Sequence, residues 1–278
     1  MEQIRICAFF DALGTSSIMK GDDTQRRQAL IQLVSKLQQN TSNYSAGTQN
    51  LGLGVAFSPS AQVTTFSDNV AISFPLRTMR NEGAFGTQPH TFQFEASQFF
   101  EHLIIQCISA VWDGLKLGIL FRGGVSIGRL VHNDKIIAGE ALIKAVELEK
   151  STKFPRIEID SDIINTEDEH GNKLIDDRLF DAIESIDGRW FVKTLDLHVG
   201  YWRDHNYYRS LEKKEPEEIP PVLTKIKSTL DIEHKKVIES NSESALEKWD
   251  WFMSEFESAF EKGYWPRVEG ALQAIKNC

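Results

Sequence analysis

The feature that most constrains the fold is an apolar run near the start of the chain, Ile4–Phe10, that ends on a lone acid: residues 9–15 read FFDALGT. A run of this kind belongs to a central strand covered on both faces, so the rest of the chain must supply a sheet and layers on either side of it. Residues 22–39 follow with Leu30, Leu33, Val34 and Leu37 at helical spacing, which predicts a strand, turn and helix in succession. Residues 41–54 are rich in Ser, Asn, Gly and Thr and read as a surface loop. Segments 62–66 and 70–74 are strand-like and flank Ser67, Asp68 and Asn69, which predicts a tight hairpin tipped with an acid.

The strongest helix signal lies over 91–117, where Phe94, Phe99, Phe100, Leu103, Ile104, Cys107, Ile108, Val111 and Leu115 recur every three to four residues. A strand over 119–128, ILFRGGVSIG, comes next, and its paired glycines allow a bend or a close backbone approach. A short strand near 135–138, a helix over 140–151 and a strand over 156–159 complete the order β α β β α β β α β. That order predicts an α+β sandwich, an antiparallel-rich sheet with covering helices. Residues 160–187 are acidic and read as irregular, and 190–199 as one or two edge strands. EKKEPEE at 212–218 reads as a solvated linker, and two helices follow over 222–240 and 244–262. The expected organisation is one domain over 1–200, a linker over 201–219 and a C-terminal helical extension over 220–278.

Charge and composition narrow the chemistry. The net charge of −9 disfavours a nucleic-acid polymer as partner but leaves open a nucleotide bound through metal ions. None of the seven histidines forms an HxxxH or HExxH pair, so zinc chemistry has no support. Cys7, Cys107 and Cys278 lie far apart without metal-binding spacing, and reduced core thiols are expected. The N-terminus carries an acid before its apolar run and no cleavage pattern, and no apolar stretch approaches the ~18 residues of a membrane span. A cytoplasmic protein without a membrane partner is the expectation.

Taken singly, Asp11 reads as a helix N-cap and Asp68 as a turn residue. Taken together, a strand ending in one acid beside a hairpin tipped with another brings two carboxylates to one edge, where they repel each other or share divalent cations. Beyond Asp11 and Ala12, the stretch Leu13, Gly14, Thr15, Ser16 and Ser17 opens a turn toward a helix, with small residues whose backbone N–H groups can surround a polyphosphate. Hard oxygen ligands shared with phosphate suit Mg²⁺ or Mn²⁺ and imply phosphoryl or nucleotidyl transfer. DALGT also resembles the DxDGT nucleophile loop of haloacid-dehalogenase-type phosphatases. Leu13 stands where those enzymes need a second acid, and an antiparallel hairpin follows where they need parallel β–α units.

Three segments together resemble the class III nucleotidyl cyclase catalytic domain: FFDALGT at 9–15, VTTFSDNVAISF at 63–74, and FRGGVSIGRLVHNDKIIAGEALIKAVELE at 121–149. The resemblance covers about the first 160 residues and implies a ferredoxin-like sandwich in which Asp11, Asp68 and the carbonyl of Ala12 hold two metal ions. It also implies a homodimer with composite active sites. The chain departs from the family where a final helix usually carries an Asn and, four residues later, an Arg; here those positions are Ile143 and Glu147. The positions nearest the family's purine readers are Gln62 and Ile136. With both metal acids kept and the purine readers lost, the chain is similar to the pyrimidine cyclases of bacterial anti-phage signalling, the Pycsar cyclases. RGGVSIG, AVELEKSTKFPRIEID and a Trp-rich helical tail also look like that group. This implies conversion of UTP or CTP to a 3′,5′-cyclic monophosphate and pyrophosphate, the product acting on a separate effector.

Arg122, on the glycine-bearing strand, is the basic residue expected near substrate, with a salt bridge to a surface acid as its alternative. Lys144 stands beside the vacated Asn position as a source of charge or as a solvated helix lysine. Phe66 packs on a base or, by alternation, turns into the core. Ser126 and Gln62 are candidates for base hydrogen bonds. Two other readings stand beside the pyrimidine cyclase: a catalytically inactive nucleotide sensor on the same fold, and a purine cyclase. A diguanylate cyclase is disfavoured because the hairpin reads FSDN and not GG[DE]EF.

Overall fold

A computed structural model of the chain describes residues 2–21, 27–35, 61–66, 69–76, 90–167, 177–196 and 219–261, together with positions 24, 173 and 175. β1 (Gln3–Leu13) runs into a six-residue helix, α1 (Thr15–Lys20), and residues 27–35 are helical. The hairpin of β2 (Gln62–Phe66) and β3 (Asn69–Pro75) follows, then α2 (His90–Leu115), β4 (Leu120–His132) and β5 (Ile137–Gly139). Next come α3 (Glu140–Ser151), β6 (Ile157–Ile159), a short α4 (Ser161–Asn165) and a 3₁₀ turn over Asp177–Ala182. The hairpin of β7 (Ile183–Ile186) and β8 (Arg189–Val192) and two helices, α5 (Ile219–Glu239) and α6 (Glu243–Glu261), complete the described chain.

All eight strands form one sheet in the order β2-β3-β1-β4-β6-β8-β7, with β5 paired to β4. The first four strands take the βαββαβ order of a ferredoxin-like fold, antiparallel throughout, and β6 joins β4 in parallel. The α+β sandwich follows directly. On one face of the sheet Ile6, Ala8, Phe10, Ile72 and Phe74 pack with Leu30, Leu33, Leu103, Cys107 and Val111 of the helices. Alternation puts residues 5, 7, 9 and 11 of β1 on the other face, where α3 lies across β4.

The charged residue inside the opening apolar run is accommodated on that second face. Arg5 is buried, and its Nε donates to Ser73 Oγ at 2.8 Å while Nη2 donates to the Ser73 carbonyl. Ser73 Oγ lies 2.7 Å from His132 Nδ1, and His132 Nε2 lies 2.9 Å from Thr64 Oγ1, so four strands are tied by one polar chain. Burial first, and the Arg5 charge second, push His132 down to about 4.

The structure corrects two sequence expectations. The stretch expected to be irregular, 160–187, holds α4, the 3₁₀ turn and β7. The edge strand pairs backward across Asp187 and Gly188, both at positive φ, as a two-residue hairpin turn requires. Cys7 and Cys107 are free and buried, as expected of core thiols; Cys278 lies outside the described residues, as does most of the expected linker. Leu223, Ile226, Leu230, Phe252 and Phe256 of α5 and α6 join the same core as β1 and α2. No helix among the described residues is long and apolar enough to cross a membrane.

Candidate active site

The register of four strands builds the site. Asp11 on β1 faces Asn69 on β3 and Arg122 on β4, and Asn69 pairs with Phe66 on β2. Phe66, Asn69, Asp11 and Arg122 therefore form one row across the sheet with their side chains on one face. Asp68 lies outside the described residues, but its chain neighbour Asn69 is the register partner of Asp11.

Arg122 gathers this end of the sheet. Its Nη2 is 3.4 Å from Asp11 Oδ2, and the same nitrogen forms an ion pair with Glu149 Oε1. Its Nη1 donates to the Thr152 carbonyl at 3.2 Å. The Arg122 and Asp11 side chains keep 17% and 23% of their surface, whereas Glu149 keeps 5%, so the open side of the cluster is at Asp11. Among the described residues the buried Arg122 Nε has no hydrogen-bond partner. The paired acid expected for Arg122 is thus two acids, one of them the candidate metal ligand.

Glu149 escaped the sequence reading, although its position follows from two repeats. α3 runs along β4, so four helical residues, about 6 Å, match two strand residues, about 6.6 Å. Ser126 donates its hydroxyl to the Ala141 carbonyl. A Cβ on Gly124 would come within 2.2 Å of the Ala145 carbonyl oxygen, so only glycine lets the helix this close. The next step pairs Arg122 with Glu149, the third buried position on α3 after Ala141 and Ala145. The signal was the spacing of small residues, 141 and 145 against 126 and 124, continued one step to a charged pair. Burial raises the Glu149 carboxyl above the usual range; Arg122 opposes this and Asp11 adds to it.

The remaining candidates separate. Ala12 is buried and pairs with Phe121, and half-buried Leu13 pairs with Leu120. Gly14 turns the chain at φ +79, exposed, and Thr15, buried, begins α1. Phe66 is 41% exposed at the end of its strand, so it does not turn into the core. Ser126 is fully buried beneath α3, a correction to its expected role as a base contact. Gln62 sits in register with Ser73, four residues along β3 from Asn69 and about 13 Å from the Asp11 row. Lys144 donates to Asp162 at 2.9 Å and also faces Asp160 and Glu140, so its charge is engaged by α4 and not by Asp11.

The donor set at this edge fits a hard cation. Asp11 offers a carboxylate and Ala12 a backbone carbonyl, while Asp68, expected as the second acid, lies outside the described residues. Among the described residues no group of three or more His, Cys, Asp or Glu side chains forms a cage, so phosphate oxygens or water would complete the coordination.

No protein-family model and no curated protein matches the chain. Among solved structures it is similar to the catalytic core of a rhodopsin-guanylyl cyclase with converted specificity, in complex with ATPαS. That match is 14% identical, covers 58% of this chain and 79% of the other, and has a TM-score of 0.34. It is also similar to an adenylate/guanylate cyclase/hydrolase from Silicibacter pomeroyi, at 14% identity over 69% and 96% of the two chains and a TM-score of 0.31. Likeness at this level says nothing of activity, and the functional reading rests on the site.

Proposed function

We propose that the chain is a metal-dependent pyrimidine nucleotide cyclase that converts UTP or CTP to the 3′,5′-cyclic monophosphate and pyrophosphate. The observation that carries this is the row of Asn69, Asp11 and Arg122, which sets a hard-oxygen donor beside a guanidinium on an open strand end. Asp11, Asp68 and the Ala12 carbonyl would hold two Mg²⁺ or Mn²⁺ ions. When bound, such ions acidify the ribose 3′-hydroxyl and neutralise the triphosphate.

The chain's own residues bind and orient. The 3′-oxygen attacks the α-phosphorus, the bond to the β-phosphate oxygen breaks, and pyrophosphate leaves; no protein nucleophile is needed. Arg122, oriented by the Thr152 carbonyl and Glu149, sets a guanidinium beside Asp11, where a triphosphate would lie. The turn at Gly14 leaves open space beside the strand end, room that a phosphate chain requires. Two copies of the chain would complete each site, and the cyclic product would act on a separate effector in anti-phage signalling. The loss of the purine-reading positions to Gln62 and Ile136 supports a pyrimidine base.

Asp68→Ala tests the assignment. It should abolish cyclic product while the thermal melt stays within a degree or two of the parent, and turnover surviving in that variant would overturn the two-metal reading.

A further inference from the structure

We propose that α6 is a positioning element for Arg122, acting through a clamp on the segment 153–156. The site's backbone anchors lie at the two ends of that segment. Arg122 Nη1 donates to the Thr152 carbonyl, and the neighbouring Gly123 N–H donates to the Arg156 carbonyl at 3.0 Å. Thr152 caps α3, bonded to Leu148, Glu149 and Glu158, and Arg156 leads into β6, so the part of this connection that depends on contacts from elsewhere is the segment between them.

What holds it is α6. The Trp251 ring stacks on Phe154 with centroids 4.9 Å apart and planes 18° from parallel. Arg156 lies between two rings, its guanidinium carbon 4.4 Å from the centroid of Trp251 and 5.1 Å from that of Phe191. Glu255, one turn beyond Trp251, faces Arg156 Nη2 at 3.8 Å, and Glu247, one turn before it, forms an ion pair with Lys153. Three successive turns of α6 thus grip Lys153, Phe154 and Arg156, three of the four residues 153–156. α6 is itself seated by Phe252 and Phe256 in the core that also holds Leu120, Phe121 and Val125 of β4. A stacked pair and a sandwiched guanidinium are directional contacts, unlike apolar burial, and they set where the segment sits as well as holding it down.

Trp251 and Arg156 are therefore positioning residues, and a displacement of α6 would reach Arg122 through them. The consequence for turnover rests on the cyclase reading; the coupling itself does not. The test compares the full-length parent with Trp251→Ala, Trp251→Phe and Arg156→Gln by hydrogen exchange over 120–126 and by turnover of UTP and CTP with Mn²⁺. A control, His234→Ala, removes one side-chain contact between α5 and α6, where His234 Nε2 meets Asp250 Oδ1 at 2.7 Å, and leaves the apolar seat of α6 and the 153–156 contacts in place.

Trp251→Ala and Arg156→Gln should raise exchange at Gly123 about tenfold and lower kcat about tenfold with KM little changed. Trp251→Phe should restore most of both, and His234→Ala should alter neither. Parent-like exchange at Gly123 in Trp251→Ala and Arg156→Gln, or equal changes in His234→Ala, would overturn the proposal. Faster exchange in the clamp variants with no turnover by the parent would support the clamp and overturn the cyclase reading alone.

Discussion

Arg122 and His132 sit on one strand ten residues apart and show how this sheet places charge. Arg122 lies at the open end, where one guanidinium serves Asp11, Glu149 and the Thr152 carbonyl. His132 lies at the closed end, buried and bonded through both ring nitrogens to the hydroxyls of Ser73 and Thr64. The neutral imidazole matches that setting, and its pKa of about 4 lies below the ordinary 6.5. The unfolded chain then takes up a proton at His132 before the folded one does. Stability from this group should be complete above about pH 7 and fall as pH drops from 6.5 toward 4, by at most on the order of 3 kcal/mol. Urea midpoints across that range should show a steeper decline in the parent than in His132→Asn; parallel declines would remove His132 as the cause.

At the level of elements, the close approach of α3 to β4 couples fold and site. Gly124→Ala would drive a methyl into the Ala145 carbonyl, so the helix must shift and carry Glu149 away from Arg122. A loss of about 1–3 kcal/mol is expected, the usual range for overpacking, together with a larger loss of turnover. A variant with parent-like stability and turnover would show that the contact is slack. Much of this was legible in advance. The run ending at Asp11, the hairpin around Asp68 and the long apolar helix each carry a strong period, and their order dictates the sheet. The α3 bounds agree with the helix expected over 140–151. Glu149 is legible only through the small-residue spacing of α3 against β4, because a charged residue at the end of an amphipathic helix normally faces solvent. The Asp187-Gly188 hairpin was missed because strands of four residues carry too few alternations to stand out from an acidic stretch. Ser126 is misplaced because sequence shows a polar side chain but not the partner that takes its hydrogen bond, whereas Lys144 fits the helix-lysine alternative.

Across the whole molecule, the two C-terminal helices share a core with the first strand. Phe256, Leu230 and Ile226 are as buried as Ile6 and Phe10, and Trp112 of α2 donates to the Thr194 carbonyl beyond β8. A sheet widened from four strands to seven in its main path places β6 next to β4 and β8 next to β6, and gives α6 a surface from which to hold the 153–156 segment. The site row lies at one end of the four antiparallel strands, so one edge of the sheet carries the proposed chemistry while the opposite layer is occupied by packing. The activity proposed for this edge is the cyclisation of a pyrimidine nucleotide. Incubation of the purified full-length protein with each of the four ribonucleoside triphosphates and Mn²⁺, with products identified by mass spectrometry, tests it most directly. Cyclic UMP or cyclic CMP with equimolar pyrophosphate is the predicted result; a purine cyclic nucleotide as the main product, or no cyclic product from the folded protein, would contradict it.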